Sequence, residues 1–208
     1  MKIIVLSNPT SLSHEIELIN ELFVSGLQHF HLRKPHMEEN EMSAFIEKID
    51  QVHHHKIMVH TNHELVERYG LAGRHFPSRE RKKITSRGGN EELFAKKNCV
   101  FSTSFHGIAE IQTSAFIYDY AFLSLVFDSI SKGGTKSTFR DLTFEKHSEL
   151  YQTNKIIALG GVSEERIELV KKYGFAGAAL LGAIWGEKNP VQSFERIIKL
   201  CPEIDSVH

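Results

Sequence analysis

Eight short apolar runs, each followed by a longer polar or amphipathic stretch, set the main limit on what this chain can fold into. The runs are Ile3–Leu6, Leu27–Leu32, Ile57–His60, Arg74–Phe76, Cys99–Ser104, Phe116–Leu125, Ile156–Leu159 and Ala178–Leu181. Several are close to continuously apolar, the pattern of strands in a parallel sheet covered on both faces. The stretches between them carry apolar residues at helical spacing. Ser13 is placed to cap a helix through Ser25, with Ile16, Ile19, Leu22 and Phe23 on one face and Gly26 as the stop. Glu38–Val52 repeats the pattern, and Asn62–Tyr69 ends at Gly70. Ser163 opens a helix to Tyr173, stopped by Gly174, and Pro190 suits the first turn of Val191–Leu200. Gly107–Gln112 and Thr143–Tyr151 are further helices, while Ser86–Lys97 is helical only at its end. Eight strand–helix units in 208 residues average about 26 residues each, at the lower end for a (β/α)8 barrel. An open doubly wound sheet competes, but it usually has about five or six strands, and no Gly-x-Gly-x-x-Gly follows the first run. The expected fold is α/β, a single compact (β/α)8 TIM barrel over residues 1–208.

Composition narrows the function. A formal charge of −1 gives no basic excess of the kind that nucleic-acid binders carry. The apolar run near Met1 is too short for a signal peptide or a membrane span. Cys99 and Cys201 are too few for a disulfide framework or a cysteine zinc site, so a cytoplasmic setting is expected. The 13 histidines are the one anomaly.

In a barrel the chemistry belongs at the C-terminal ends of the strands. Gly160-Gly161 follows the seventh run and Gly182 the eighth. Glycine lets backbone N–H groups approach an anion, and adjacent loops after strands 7 and 8 commonly hold a phosphate. The alternative is that these glycines only make tight turns. After the sixth run comes Ser129-Ile130-Ser131-Lys132-Gly133-Gly134-Thr135-Lys136-Ser137, whose hydroxyls, lysines and glycines could surround a polyphosphate, although the full P-loop spacing is missing. Arg33 closes the second run, and a guanidinium suits phosphate. Pro77–Asn90, with Arg79, Arg81, Lys82, Lys83 and Arg87, reads as a solvated loop and helix face, or as a basic lid. His53-His54-His55 reads as surface.

These residues carry a family resemblance. His31-Leu32-Arg33, Gly73-Arg74-His75-Phe76, Ser104-Phe105-His106, Asp119-Tyr120 with Ser129-Ile130-Ser131-Lys132, Gly160-Gly161-Val162 and Gly174-Phe175-Ala176-Gly177 resemble, in order and spacing, the motifs of the thiamine-phosphate synthase family, which includes the thiazole tautomerases. The resemblance implies a barrel that couples hydroxymethylpyrimidine diphosphate to thiazole phosphate, releasing pyrophosphate with the help of Mg2+. It implies that Arg33, Ser129, Ser131 and Lys132 hold the pyrophosphate end with Ser104 nearby, and that Gly160, Gly161 and Gly182 hold the thiazole phosphate. His31 then stands where the family glutamine contacts the pyrimidine.

The departures fall on the metal grip. The family's Asn-Asp after strand 3 is here His60-Thr61, and Glu80 aligns with its second magnesium carboxylate. The family's lysine two residues after the arginine is Pro35, with Lys34 beside it. Three functions follow: the synthase, with Glu80 or Asp128 helping to hold magnesium; an isomerase of the tautomerase type with His106 as acid/base; or a non-catalytic binder of a phosphorylated thiazole or thiamine phosphate. The partners are phosphorylated thiazole and pyrimidine small molecules, without nucleic acid or membrane; a homo-oligomer is compatible with the sequence. A fourth possibility comes from His29, His31, His60, His75 and His106, whose imidazoles could converge on zinc. Against it, His75 and His106 belong to family motifs that hold no zinc, and acidic partners are missing at the later strand ends.

Overall fold

The strands close in sequence order. The computed structural model describes residues 1–95, 98–128 and 146–201. In it β1 (Lys2–Leu6), β2 (Phe30–Leu32), β3 (Ile57–Val59), β4 (Gly73–Phe76), β5 (Val100–Phe105), β6 (Tyr120–Ser124), β7 (Ile156–Leu159) and β8 (Gly177–Leu180) form one closed barrel. Every ladder is parallel, and β8 returns to pair with β1 from Lys2↔Gly177 to Val5↔Leu180. The connections carry α1 (Glu15–Val24), α2 (Glu39–Ile46), α3 (Leu65–Tyr69), α4 (Ser78–Thr85), α5 (Glu91–Ala95), α6 (Ile108–Thr113), α7 (Ser148–Thr153), α8 (Ile167–Lys172), α9 (Gly182–Trp185) and α10 (Pro190–Lys199), with 3-10 turns at Gln51–Lys56 and Glu164–Arg166. The predicted (β/α)8 barrel is the fold. Among the described residues no helix is long and apolar enough to cross a membrane.

Strand side chains alternate, so each strand feeds two cores. The outward residues Val5, Phe30, Leu32, Ile57, Val59, Phe105, Ala121, Leu123, Ile156, Ala158, Ala178 and Leu180 pack beneath the helices. The inward ones include Ile4, Leu6, Met58, Tyr120, Phe122, Ile157 and Ala179. His31, His75 and Ser102 have the same inward parity and are also buried.

Several local expectations change. The strand expected over Phe116–Leu125 starts only at Tyr120, because Asn90 captures the backbone of Ile117 on both sides: Ile117 N–H donates to Asn90 Oδ1 at 2.8 Å, and Asn90 Nδ2 donates to Ile117 O at 2.8 Å. Ser13 does not cap α1; His14 takes the cap position at φ 57°, and Glu15 turns inward to Lys34. His54 is buried rather than on the surface, with its ring nitrogens against the carbonyls of Tyr69, Ile46 and Ile49. The first half of Pro77–Asn90 is the solvated helix face of that expectation, with Arg79, Lys82 and Lys83 exposed and one basic residue turned inward. It forms α4, whose buried residue is Arg81, set over the Phe105 ring at 4.3 Å and paired with Glu110 at 3.0 Å. The helix was hard to see because its inward residue is a guanidinium rather than an apolar side chain.

Candidate functional site

The barrel interior gathers polar side chains from five neighbouring strands, from His60 and Ser104 near the C-terminal ends down to Tyr120, the first residue of β6. On β2, Phe30 and Leu32 face the helices, which turns His31 into the barrel, where it is fully buried. His75 on β4 and His60, just after β3, meet it there, and both are buried. His31 Nδ1 lies 2.9 Å from His60 Nε2, and His31 Nε2 lies 2.5 Å from the Tyr120 hydroxyl. His75 hydrogen-bonds Ser102 Oγ through Nδ1 and Ser104 Oγ through Nε2, each at 2.9 Å. The rings of His60 and His75 stack at 4.0 Å. Ser102 also hydrogen-bonds the Tyr120 phenol, which burial pushes well above its ordinary value. A continuous polar chain therefore runs from His60 through His31, Tyr120, Ser102 and His75 to Ser104.

Burial holds all three imidazoles in the neutral form. His75 is lowered to about 3 by desolvation, with the charges of His63 and Arg33 adding to it. His31 and His60 are pushed well down by desolvation and then by His75. His29 does not join the cluster: it lies toward the N-terminal end of β2 beside Lys2 and Lys56, lowered to about 4 mainly by burial.

His106 stands apart, exposed at the end of β5. Its Nδ1 is 3.1 Å from the Ser124 carbonyl. A carbonyl only accepts, so Nδ1 carries the proton and Nε2 of the neutral ring keeps its lone pair. Gly160 and Gly161 follow β7 in left-handed conformations, φ 91° and 65°. A Cβ on Gly161 would come within 2.5 Å of Asp128 O, so only glycine fits this turn. Arg166 ties the turn to the end of β6, donating to Gly161 O at 2.7 Å and Asp128 O at 3.2 Å. Gly182 opens α9 after β8 and is exposed. Arg33 follows β2 half-buried, its backbone held by Ser7 Oγ at 2.8 Å, and its charge reaches His60 and His75.

A family model described as thiamine monophosphate synthase matches residues 3–184. The chain belongs to that family. Among solved structures it is similar to a thiamine phosphate pyrophosphorylase from Bacteroides thetaiotaomicron (26% identity, TM-score 0.78), with 96% of this chain and 97% of that one covered. It is similar in fold to a thiamine phosphate pyrophosphorylase from Pyrococcus furiosus (17% identity, TM-score 0.75, 96% and 94% covered). It is also similar in fold to a 3-hexulose-6-phosphate synthase (17% identity, TM-score 0.66, 95% and 98% covered). No curated protein sequence matches it significantly. The family is one of thiamine biosynthesis, and the synthase activity that names it is that of a transferase.

Within this thiamine monophosphate synthase family member, the predicted site residues divide. Arg33, Ser104, His106, Gly160, Gly161 and Gly182 lie at or just after strand C-terminal ends. Ser129, Ser131 and Lys132 lie outside the described residues. His31 was expected to face a pyrimidine, yet both of its nitrogens are engaged inside the barrel. Lys34 does not replace the family lysine at Pro35: it is buried, 2.6 Å from Glu15 and 2.9 Å from Thr10 O. Tyr120 and Ser102 were not singled out as site residues, and His75 was named only among the imidazoles that could converge on zinc, although inward parity on β4, β5 and β6 was a usable signal for all three.

At the two positions aligned with the family's magnesium carboxylates the chain has Thr61, which offers no carboxylate, and Glu80. Mg2+ demands oxygen ligands in near-octahedral array. Glu80 sits half-buried in the first turn of α4, its carboxyl pushed up by burial against the opposing charge of Lys83. Among the described residues, the one cluster of three or more ligand-bearing side chains close enough to share an ion is His31, His60 and His75, all nitrogen donors.

Proposed function

We propose that this protein binds a thiazole phosphate through the loops after β7 and β8 and moves a proton on it with His106, an isomerisation of the tautomerase type. The observation that carries this is the His106 geometry: Nδ1–H donates to Ser124 O, leaving Nε2 as a base exposed at the mouth. Nε2 takes a proton from one ring-bound position and the resulting imidazolium returns it at another, so the substrate is isomerised with no net change in atoms or charge. The glycine-only turn at Gly160-Gly161 supports a phosphate grip, because backbone N–H groups unshielded by side chains can approach phosphate oxygens.

The second reading is the thiamine-phosphate synthase reaction, coupling hydroxymethylpyrimidine diphosphate to thiazole phosphate with release of pyrophosphate. The family description and the name of the Bacteroides relative favour it. In that reading Arg33, with Ser129, Ser131 and Lys132, takes the pyrophosphate. Thr61 in place of the family's magnesium aspartate and the enclosed position of His31 weigh against it.

One experiment separates the two. Purified protein is incubated with thiazole phosphate alone and with both substrates plus Mg2+, following the thiazole tautomer spectroscopically and thiamine phosphate by chromatography. Tautomer formation that falls at least about 100-fold in His106→Ala, the usual size of a general acid–base contribution, supports the isomerase. Thiamine phosphate at catalytic rates would replace it with the synthase.

A further inference from the structure

We propose that His31, His60 and His75 form a binding site for a divalent transition-metal ion of the zinc class. The three come from β2, from the residue just after β3, and from β4, and one ring nitrogen from each lies within 4.8 Å of those of the other two. Ligands of one four-coordinate ion, bonded at about 2.0–2.1 Å, stand roughly 3.3 Å apart. His31 Nδ1 and His60 Nε2, 2.9 Å apart, are already near that spacing. Binding the ion replaces the His31–His60 hydrogen bond and the His75 contact to Ser104 Oγ.

The surroundings have the form that metal-binding histidines require. A ligating imidazole normally has its other nitrogen held by a hydrogen bond, which fixes tautomer and ring orientation. The Tyr120 hydroxyl holds His31 Nε2 and Ser102 Oγ holds His75 Nδ1. Neutral imidazoles suit zinc, cobalt, nickel and copper, whereas magnesium wants oxygen. The cluster contains no carboxylate, and Arg33 is close. A doubly charged ion there needs a small anion such as hydroxide in its fourth position.

This site does not depend on the isomerase reading, and its test does not use turnover. The full chain is stripped with chelator, dialysed, and titrated with Zn2+ by calorimetry and with Co2+ by visible spectroscopy. One ion per chain is expected, with the visible absorption of four-coordinate cobalt, displaced by zinc and unaffected by excess Mg2+. His60→Asn and His31→Gln keep a hydrogen-bonding group but should remove the cobalt band. Tyr120→Phe should weaken zinc about 10- to 100-fold, the effect of losing a partner that orients a ligand. His55→Ala, on the exposed face of the 3-10 turn, should leave binding intact. Circular dichroism establishes that each variant is folded, and His75→Gln replaces any that is not. No stoichiometric ion in the wild type, or an ion retained in folded variants of the cluster histidines, overturns the proposal and leaves the histidines as a hydrogen-bonded core.

Discussion

Lys34 and Glu15 bury one full charge each at 2.6 Å, with both side chains only 2% exposed. Such a pair loses much of its Coulombic attraction to desolvation, but removing one member strands the other charge inside the protein. Glu15→Ala should therefore cost about 3–5 kcal/mol, read as a lower urea midpoint, while adding Lys34→Met should recover most of it. A double variant no more stable than the single one would show that the pair does not act as a unit. None of this was visible in the sequence, where Lys34 simply stood beside Pro35 at the family lysine position. Its fate depends on the packing of α1 and on the Phe45 ring 5.3 Å from its ammonium group. His106 is the opposite case: its place at the end of β5 followed from the chain itself, and its exposure and the Ser124 contact that sets its tautomer came from the fold.

At the scale of elements, α4 is held by an ion-pair cluster. Glu110 on α6 receives Arg81 at 3.0 Å and Lys82 at 2.7 Å. Burial alone would raise the Glu110 carboxyl, but hydrogen bonds from Lys82 and the His106 N–H, with the charges of Lys82 and Arg81, hold it below its ordinary value. A depressed carboxylate stabilises the fold above its unfolded pKa, and that contribution is lost as pH falls through the folded value. Melting temperatures of wild type and Glu110→Gln, compared from pH 7 to pH 3, should differ at neutral pH and converge below about 4.5. A gap that stays constant across the range would mean that the charge on Glu110 is not what holds α4. The apolar periodicity that located α1 and α10 could not find this helix, since its buried contact is Arg81 over Phe105. For the same kind of reason the Phe116–Tyr118 stretch looked like strand: its side chains fit one, but Asn90 has taken the backbone groups of Ile117 that a ladder would need.

For the whole molecule, closure is the central requirement. β8 pairs with β1, and Trp185 just beyond β8 donates its Nε1–H to Leu6 O at 2.6 Å, pinning the last turn of the barrel to the first strand. Trp185→Phe keeps the ring packing and removes that bond, so a loss of about 1 kcal/mol is expected in a denaturant titration. An unchanged midpoint would assign the closure to the ladder alone. Closure also explains why the candidate site could be only half read in advance. Because every strand is parallel, all of the strand C-terminal ends fall on one face, so Arg33, Ser104, His106, Gly160 and Gly182 could be assigned to a common mouth before any contact was known.

The chain by itself determined the eight-fold alternation, the barrel it closes into, the family, and the residues that end each strand. These are periodic or local properties, and periodicity survives without knowledge of neighbours. Only the tertiary structure decided which of those residues meet. His31, His60 and His75 are separated by tens of residues, and their hydrogen bonds to one another, to Tyr120 and to Ser104 depend on strand register and on the depth at which each side chain sits inside the barrel. The same count of histidines could have been spread over the surface. The barrel instead puts three of them in one buried cluster and leaves a fourth, His106, at its mouth with one nitrogen tied and the other open.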